Sequence, residues 1–255
     1  MRSALASESF GSLKLLGNEA LERSAIVANN RMNRERGLVG GNGYAKDLGL
    51  NPLEWLVDKL RSASTVSWLD LCCGSGKALV EASLRIRELG HASRISIVGV
   101  DLVSMFVAQP PGLDFLRLEE GSVTRWRTKK RFDLITCVHG LHYVGDKLGT
   151  ITRAASWLTA DGLLIANLDL ASVKVEDQSK AQLAHELKHA GVTWAARQRR
   201  ISRKGHAELK LPYEFVGADD AAGPNYTGQP AVDSYYRRIL SPSPRGGEGQ
   251  QLQER

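Results

Sequence analysis

The stretch WLDLCCGSGKAL, residues 68–79, indicates how this chain of 255 residues folds. Apolar residues run up to an acid, Asp70, as in a buried strand, and Gly74 and Gly76 then supply the backbone freedom of a tight loop. After the loop, the apolar residues of segment 77–89 recur every three or four positions, which is typical of an amphipathic helix. The stretch therefore predicts a strand, a glycine loop and a helix in succession.

The same alternation continues on both sides of this stretch. Short apolar runs rich in Ile, Val and Leu alternate with helical segments, and the runs lack strict apolar–polar alternation, as expected for strands covered on both faces. This pattern predicts an α/β fold with a doubly wound, mostly parallel sheet and helices on both faces. The predicted strands are VSWLDL (66–71), ISIVGV (95–100), FDLITCV (132–138) and GLLIANLDL (162–170), with LDFLRL (113–118) as a weaker candidate.

The flanking segments predict further elements and a division into domains. Asn51 followed by Pro52 is typical of a helix start, and helices are also expected at 19–29 and 178–190. A terminal hairpin is expected after Val192, with its turn near Lys204 and Gly205. The predicted units are an N-terminal helical cap or lid (1–60), a core with the hairpin (61–216), an ordered C-terminal loop (217–240) and a disordered tail (241–255).

Composition excludes several classes of protein. The chain is 42% hydrophobic and 24% charged, has no apolar run long enough to span a membrane, and shows no secretory signal, so we expect a cytoplasmic protein. Three cysteines do not support a disulfide framework or a metal site. The net charge of +6 gathers in RWRTKKR (125–131) and RQRRISRKGH (197–206). These clusters favour either a solvated rim or contact with nucleic acid.

Two common glycine-loop motifs do not fit. A phosphate-binding loop requires a glycine where the chain has Leu71 and a hydroxyl where it has Ala78. A dinucleotide-binding loop requires a third glycine where the chain has Leu79. A third pattern fits better, because an acid precedes the glycines and Asp101 ends the next strand, where a carboxylate can accept both hydroxyls of a ribose.

Four blocks of sequence in order, WLDLCCGSG, IVGVDL, FDLITCVHGLHYVGD and WLTADGLLIANLD, resemble the class I S-adenosylmethionine-dependent methyltransferases. The resemblance implies a Rossmann-like, seven-stranded sheet that is mostly parallel, with an antiparallel strand from a terminal hairpin. It also implies S-adenosylmethionine as the cofactor and an enzyme that transfers a methyl group.

The resemblance also implies roles for individual residues. Those around the methionine part of the cofactor would be Asp70, Cys72 through its backbone, Gly74 and Gly76; Asp101 would bind the ribose, Leu102 an adenine face, and Ser122 and Val123 the adenine edge, while Val138 and His139 would lie beneath the sulfonium. The chain departs from the family where it has Cys72 for a common glycine and Ser122 for a common aspartate. We expect Cys72 to need only an ordinary backbone conformation.

The acceptor side is less determined. Histidine is the usual general base for an oxygen or nitrogen nucleophile, and His139 is expected to line the site, whereas His142 and Tyr143 either take part in catalysis or pack against the sheet. Arg34, Arg36 and Tyr44, in a glycine-rich segment, either close the site as a lid or belong to a structural cap. The acceptor is predicted to be a small molecule, with RNA as the alternative.

Two other classes of protein, a zinc hydrolase and an inactive scaffold, fit the sequence less well. HELKH (185–189) matches the H-E-x-x-H zinc motif, but the extended motif needs a glycine at Val192 and a histidine at Ala195, so no metal is expected. A methyltransferase-like scaffold without activity is the other alternative, although such a scaffold has no physical need for both Asp70 and Asp101.

Overall fold

The computed structural model of the protein describes residue 10 and residues 13–28 and 35–239. Arg34 and the predicted disordered tail lie outside these residues. The strands are β1 (Val66–Leu71), β2 (Ile95–Asp101), β3 (Leu116–Glu120), β4 (Phe132–Cys137), β5 (Leu158–Asn167), β6 (Val173–Val175), β7 (Thr193–Ala195), β8 (Arg200–Lys204), β9 (Tyr213–Asp219) and β10 (Asp233–Arg238). The helices are α1 (Asn18–Glu22), α2 (Ala25–Ala28), α3 (Tyr44–Leu48), α4 (Pro52–Lys59), α5 (Lys77–Glu88), α6 (Lys147–Ser156) and α7 (Lys180–His189).

A seven-stranded sheet forms the centre, in the order β3-β2-β1-β4-β5-β8-β7. The first five strands in this order pair in parallel, and β8 runs antiparallel to both β5 and β7. Both faces are covered, since Trp68 and Leu69, neighbours on β1, belong to different apolar clusters. The predicted fold class is confirmed.

The terminal hairpin exists, but the predicted position of its turn is wrong. The turn between β7 and β8 spans residues 196–199, and Lys204 and Gly205 lie at the far end of β8. Arg199 takes a positive φ of 47° to close the turn, a conformation that only a glycine or asparagine would have signalled in the sequence.

A second, three-stranded sheet lies beside the first, in the order β6-β10-β9. β10 pairs in parallel with β6 and antiparallel with β9. Part of the segment 217–240, expected to be a loop, is therefore a strand, and β9 crosses the expected boundary at residue 216. The three predicted domain boundaries stay predictions.

The predicted helices form with small differences. The side chain of Asn51 accepts a hydrogen bond from the Leu53 N–H and Pro52 is the first residue of α4, as expected. The segment expected to form one N-terminal helix divides instead into α1 and α2, which are separated by Arg23 and Ser24. In the part of the chain that the structure describes, no helix is long and apolar enough to cross a membrane.

Lys147, at the start of α6, is fully buried and joins α6 to the start of β10 in the second sheet. Its Nζ donates to the carbonyl oxygens of Val144 at 3.1 Å and Val232 at 2.7 Å, and to the Ser234 hydroxyl at 2.6 Å. Burial lowers the pKa of this lysine from 10.5 to about 7, because an ammonium group loses its hydration there.

Lys147 should make stability depend on pH. Between about pH 7 and 10.5 the unfolded chain holds a proton that the folded chain has released. The contribution of Lys147 to the free energy of unfolding therefore rises with pH, by up to about 1.4 kcal/mol per pH unit. We expect the free energy of unfolding of the wild type minus that of Lys147→Met, both measured with denaturant, to increase from pH 7 to about pH 9.5. A difference that stays constant over this range would contradict the assignment.

Candidate active site

A cleft opens at the carboxyl ends of β1, β2 and β4. The strand order turns back at β1, since β2 and β3 lie on one side and β4 and β5 on the other. A crevice at such a point is where open α/β sheets bind their ligands. The cleft has about 710 Å³ of empty space, including open solvent at its mouth.

The cleft collects most of the residues that the sequence predicts. Those that line it are Cys72, Gly74, Asp101, Leu102, Ser122, Val123, Val138, His139 and Tyr143. Those that do not are Asp70, Gly76, His142, Arg36 and Tyr44. The residues that line it without having been predicted are Glu22, Val27, Thr124, Gly140, Val144 and Gly145. The individual roles in cofactor binding and catalysis stay predictions.

The loop after β1 turns through three left-handed residues. Cys72, Gly74 and Gly76 have φ values of 58°, 61° and 72°. The expectation that Cys72 needs only an ordinary backbone conformation is therefore wrong: this position favours glycine, because a Cβ crowds the following carbonyl there. A Cβ on Gly76 would lie 2.7 Å from Cδ1 of Leu118, so the loop also passes close to β3.

Asp101 ends β2 and holds this loop in place. Its Oδ2 accepts a hydrogen bond from the Gly74 N–H at 2.8 Å, and its Oδ1 accepts one from the Val103 N–H at 3.3 Å. The residue is only 7% exposed, yet it lines the cleft. A carboxylate is thus fixed at the cleft wall, where the sequence predicts the ribose to bind.

Asp70 lies behind the cleft wall. The side chain is fully buried, and its two oxygens accept hydrogen bonds from Tyr44 Oη at 2.7 Å and from Thr136 Oγ1. Burial raises the pKa of Asp70 to about 7, against the lowering effect of these hydrogen bonds. In this arrangement Tyr44, expected near the cofactor or substrate, anchors α3 to β1 through Asp70.

His139 follows β4 in a left-handed conformation, with φ of 57°. Its Nε2 lies 3.3 Å from Oδ2 of Asp47, and its Nδ1 lies 3.3 Å from Nε2 of His142. Asn167 fixes both partners, accepting from the His139 N–H at 3.3 Å and donating to the Asp47 carbonyl oxygen at 3.2 Å. The strained backbone and the three polar partners give the imidazole ring one defined position.

The charges around His139 are unequal. Burial acts to raise the pKa of Asp47, but the hydrogen bond from His139 and the nearby Arg36 outweigh it, and the pKa lies below its ordinary value. Arg36 Nη1 lies 2.6 Å from Asp47 Oδ2. Burial, and next the electrostatic influence of the adjacent His139, lower the pKa of His142 to about 3, so His142 is neutral at physiological pH.

A second, more polar cavity lies on the other side of His139. Its walls come from the glycine-rich segment before β1, from the start of β8 and from the loop before β10. Tyr226 lies there beneath the guanidinium of Arg199, 4.3 Å from ring centroid to Cζ, which is a cation–π contact. The residues that line this cavity are Glu35, Arg36, Gly41, Asn42, Lys46, Asp47, His139, Asn167, Gln198, Arg200, Tyr226, Thr227 and Gln229.

The polar partners of the cleft come from distant parts of the chain. Glu22 is more than 100 residues from Arg125, yet its carboxylate accepts from Arg125 at 2.9 Å. Asp47 reaches His139 from α3. No spacing rule connects such pairs, so sequence reasoning missed both acids.

The polar residues of the HELKH segment have partners within the fold. His185 and His189 lie on α7 with their Nε2 atoms 3.2 Å apart, and Glu186 accepts from Arg238 at 2.7 Å and from Tyr213. Among the described residues, no group of three His, Cys, Asp or Glu side chains could hold a metal ion.

The two basic clusters are also used largely within the fold. In the first cluster, Arg131 contacts His206 at 2.8 Å. In the second, Arg199 pairs with Asp169 at 2.6 Å and Arg203 donates to the Ala190 carbonyl oxygen at 2.8 Å. These contacts favour the interpretation of the clusters as a structural rim.

Comparison with known proteins identifies the family. A family model described as "Methyltransferase domain" matches residues 41–209, more than half of the chain. The predicted resemblance, and with it S-adenosylmethionine as the cofactor, is confirmed. The comparison with curated proteins finds no match.

Several solved structures are similar over part of the chain. S-adenosylmethionine-bound CalS10, an amino pentose methyltransferase from Micromonospora echinaspora, is 20% identical, with 45% of this chain and 48% of that chain covered and a TM-score of 0.35. An S-adenosylmethionine-dependent methyltransferase from Thiobacillus denitrificans is 26% identical, with 45% and 46% covered and a TM-score of 0.35. YjhP from E. coli is 18% identical, with 65% of each chain covered and a TM-score of 0.36. The chain thus spans less than two thirds of each, and the fold assignment rests on the sheet order.

Cys72 offers a test of the left-handed loop. Cys72→Ala and Cys72→Gly both remove the thiol, but only the alanine keeps a Cβ at a φ of 58°. We expect the glycine variant to be the more stable of the two by about 1 kcal/mol, measured by denaturant unfolding. An alanine variant at least as stable as the glycine variant would show that the position carries no such strain.

Asp101 offers a test of the cofactor cleft. We expect Asp101→Ala to weaken the binding of S-adenosylhomocysteine by on the order of 1–3 kcal/mol, because charge-assisted hydrogen bonds are lost. Asp101→Asn should lose less, since an amide oxygen can still accept from the Gly74 N–H. Calorimetry would measure both, with Asp161→Ala, at a carboxylate 79% exposed, as the control. Unchanged affinity in Asp101→Ala would place the ribose elsewhere.

Proposed function

The chain belongs to the class I S-adenosylmethionine-dependent methyltransferases, and we propose that it transfers a methyl group from S-adenosylmethionine to an oxygen or nitrogen atom of a small polar molecule. One observation carries the proposal: His139 lines both the cleft at the end of the sheet and the polar cavity beyond it. The two cavities therefore meet at a histidine, where an acceptor can approach the cofactor.

The residues of the cleft fit the cofactor in kind. Leu102, Val123, Val138 and Val27 give apolar walls suited to a purine and a sulfonium methyl group, and Asp101 gives a carboxylate suited to ribose hydroxyls. The left-handed loop at Gly74 brings backbone to the same wall without a Cβ. S-adenosylmethionine supplies a methyl group on a positively charged sulfur that is already activated for displacement.

The chain itself supplies position and charge. Asp47 accepts a hydrogen bond from Nε2 of His139 and so orients the ring, which leaves Nδ1 as the nitrogen that can take a proton from the acceptor. In the structure this Nδ1 lies 3.3 Å from Nε2 of His142, which is its hydrogen-bonding neighbour. A neutral His142 adds no positive charge beside the site of a cationic cofactor. Tyr143 lines the same cleft, and a turnover assay can test whether it takes part in catalysis.

The polar cavity supports a small acceptor with its own hydrogen-bonding groups. Arg36, Asp47, Asn167 and Tyr226 surround His139 with donors and acceptors of both charges. Arg36 and Tyr44 act in this proposal as the support of the cavity, since one pairs with Asp47 and the other with Asp70.

An RNA acceptor has less support, because several arginine side chains in residues 125–131 and 197–206 pair with other groups of the fold. A scaffold without activity gives no reason for an ordered carboxylate and histidine in the same cleft. Both alternatives are outcomes of the assay below, which would give no turnover of small acceptors in either case.

Asp47→Asn tests the proposed mechanism. The assay incubates the protein with S-adenosylmethionine and a panel of small hydroxyl and amine compounds and measures the S-adenosylhomocysteine formed. We expect the variant to lower turnover by about 10- to 100-fold, because general-base catalysis contributes on the order of 10²–10⁴.

The control is Asp58→Asn, at a carboxylate of α4 that is 71% exposed and pairs with Arg61, just after the end of that helix. Affinity for S-adenosylhomocysteine should stay unchanged in both variants, since neither side chain lines the cofactor cleft. Turnover in Asp47→Asn equal to that of the wild type would refute the role of the pair.

A further inference from the structure

Glu22 brings a second carboxylate to the cofactor cleft from outside the sheet. It is the last residue of α1, and its side chain is only 14% exposed. It lines the cleft beside Ser122, Val123 and Leu102, at the opposite end from His139 in the predicted arrangement of the cofactor. A carboxylate on a largely apolar wall needs hydrogen-bonding or charged partners, because burying an unpaired charge is costly.

Three donors fix this carboxylate. Glu22 Oε1 accepts from Ser122 Oγ at 2.5 Å and from Thr124 Oγ1 at 3.1 Å, and Oε2 accepts from Arg125 Nη2 at 2.9 Å. A carboxylate has about four acceptor positions, so one remains. Ser122 Oγ and Thr124 Oγ1 also lie 2.8 Å from each other, and among these three side chains Glu22 is the one acceptor that carries a negative charge.

The walls around Glu22 suit a flat aromatic ring. Val27, from α2, and Leu102, after β2, belong to the same apolar cluster, and Val123 lines the same cleft. A purine between such walls presents its edge to whatever polar group lies at their end. Here that group is a hydrogen-bond acceptor with a negative charge.

We propose that Glu22 accepts a hydrogen bond from the exocyclic amino group of the cofactor's adenine, and that it makes the cleft selective for 6-aminopurines over 6-oxopurines. The proposal rests on the proposed function, because it assumes that the cleft binds S-adenosylmethionine. A 6-oxo group would direct an oxygen at the carboxylate and repel it, so this contact favours the 6-amino form.

The experiment measures binding, without turnover. Calorimetry compares S-adenosylhomocysteine with S-inosylhomocysteine, which differs in having a 6-oxo group and a protonated N1. We expect the wild type to prefer S-adenosylhomocysteine by at least about tenfold, as lost charge-assisted hydrogen bonds usually cost this much or more.

Three variants isolate the carboxylate. Glu22→Gln keeps the shape and can donate to a 6-oxo group, so the preference should fall to near one or reverse. Glu22→Ala with Ser122→Asp should restore the preference, because Ser122 Oγ lies only 2.5 Å from the Glu22 carboxylate. Glu19→Gln is the matched control, since Glu19 lies on the same helix, is 67% exposed and pairs with Arg23. Thermal melting would verify that each variant is folded.

The outcomes are distinct. A preference that is equally strong in the wild type and in Glu22→Gln overturns this proposal alone. Tighter binding of S-adenosylhomocysteine to Glu22→Gln than to the wild type also overturns it, because Glu22 would then compete with the cofactor. If the folded wild type binds neither compound, the proposed function fails, and this inference fails with it.

Discussion

The hydrogen bond from the Gly74 N–H to the Asp101 carboxylate ties the loop after β1 to the end of β2. The rest of the cleft depends on this contact. The loop can reach Asp101 only because the chain turns left-handed at Cys72, Gly74 and Gly76, and Asp101 is presented to the cleft only because β1 and β2 are parallel neighbours. The left-handed loop and the pairing of β1 with β2 thus together fix the position of the Asp101 carboxylate on a largely apolar wall.

The sequence predicts the parts of the molecule that local patterns determine. Apolar runs identify β1, β2 and β4, and Asp101 follows from its place at a strand end. Contacts between distant segments have no such signal: Glu22 reaches Ser122 across 100 residues, and no spacing relates them. The turn at Arg199 was missed for the opposite reason, because a left-handed residue without glycine or asparagine leaves no mark in the sequence.

Electrostatics divide the site into two unlike halves around His139. On the sheet side, burial raises the pKa of Asp70 to about 7 and lowers that of His142 to about 3, so buried groups there tend toward their neutral forms. On the cavity side, Asp47 is held as an anion by His139 and Arg36. A cationic reactant therefore meets little positive charge from the sheet, while a fixed anion lies beyond the histidine.

The contacts of Lys147 bear on how this protein can be divided. Its ammonium group depends on Val232 and Ser234, and the Val232 N–H also donates to the carbonyl oxygen of His142 at 2.9 Å. Both residues lie beyond the family match, which ends at residue 209. The family match therefore covers less of the chain than the contacts of Lys147 do, and a fragment cut at residue 209 would lose two of the three hydrogen-bond partners of its amino group.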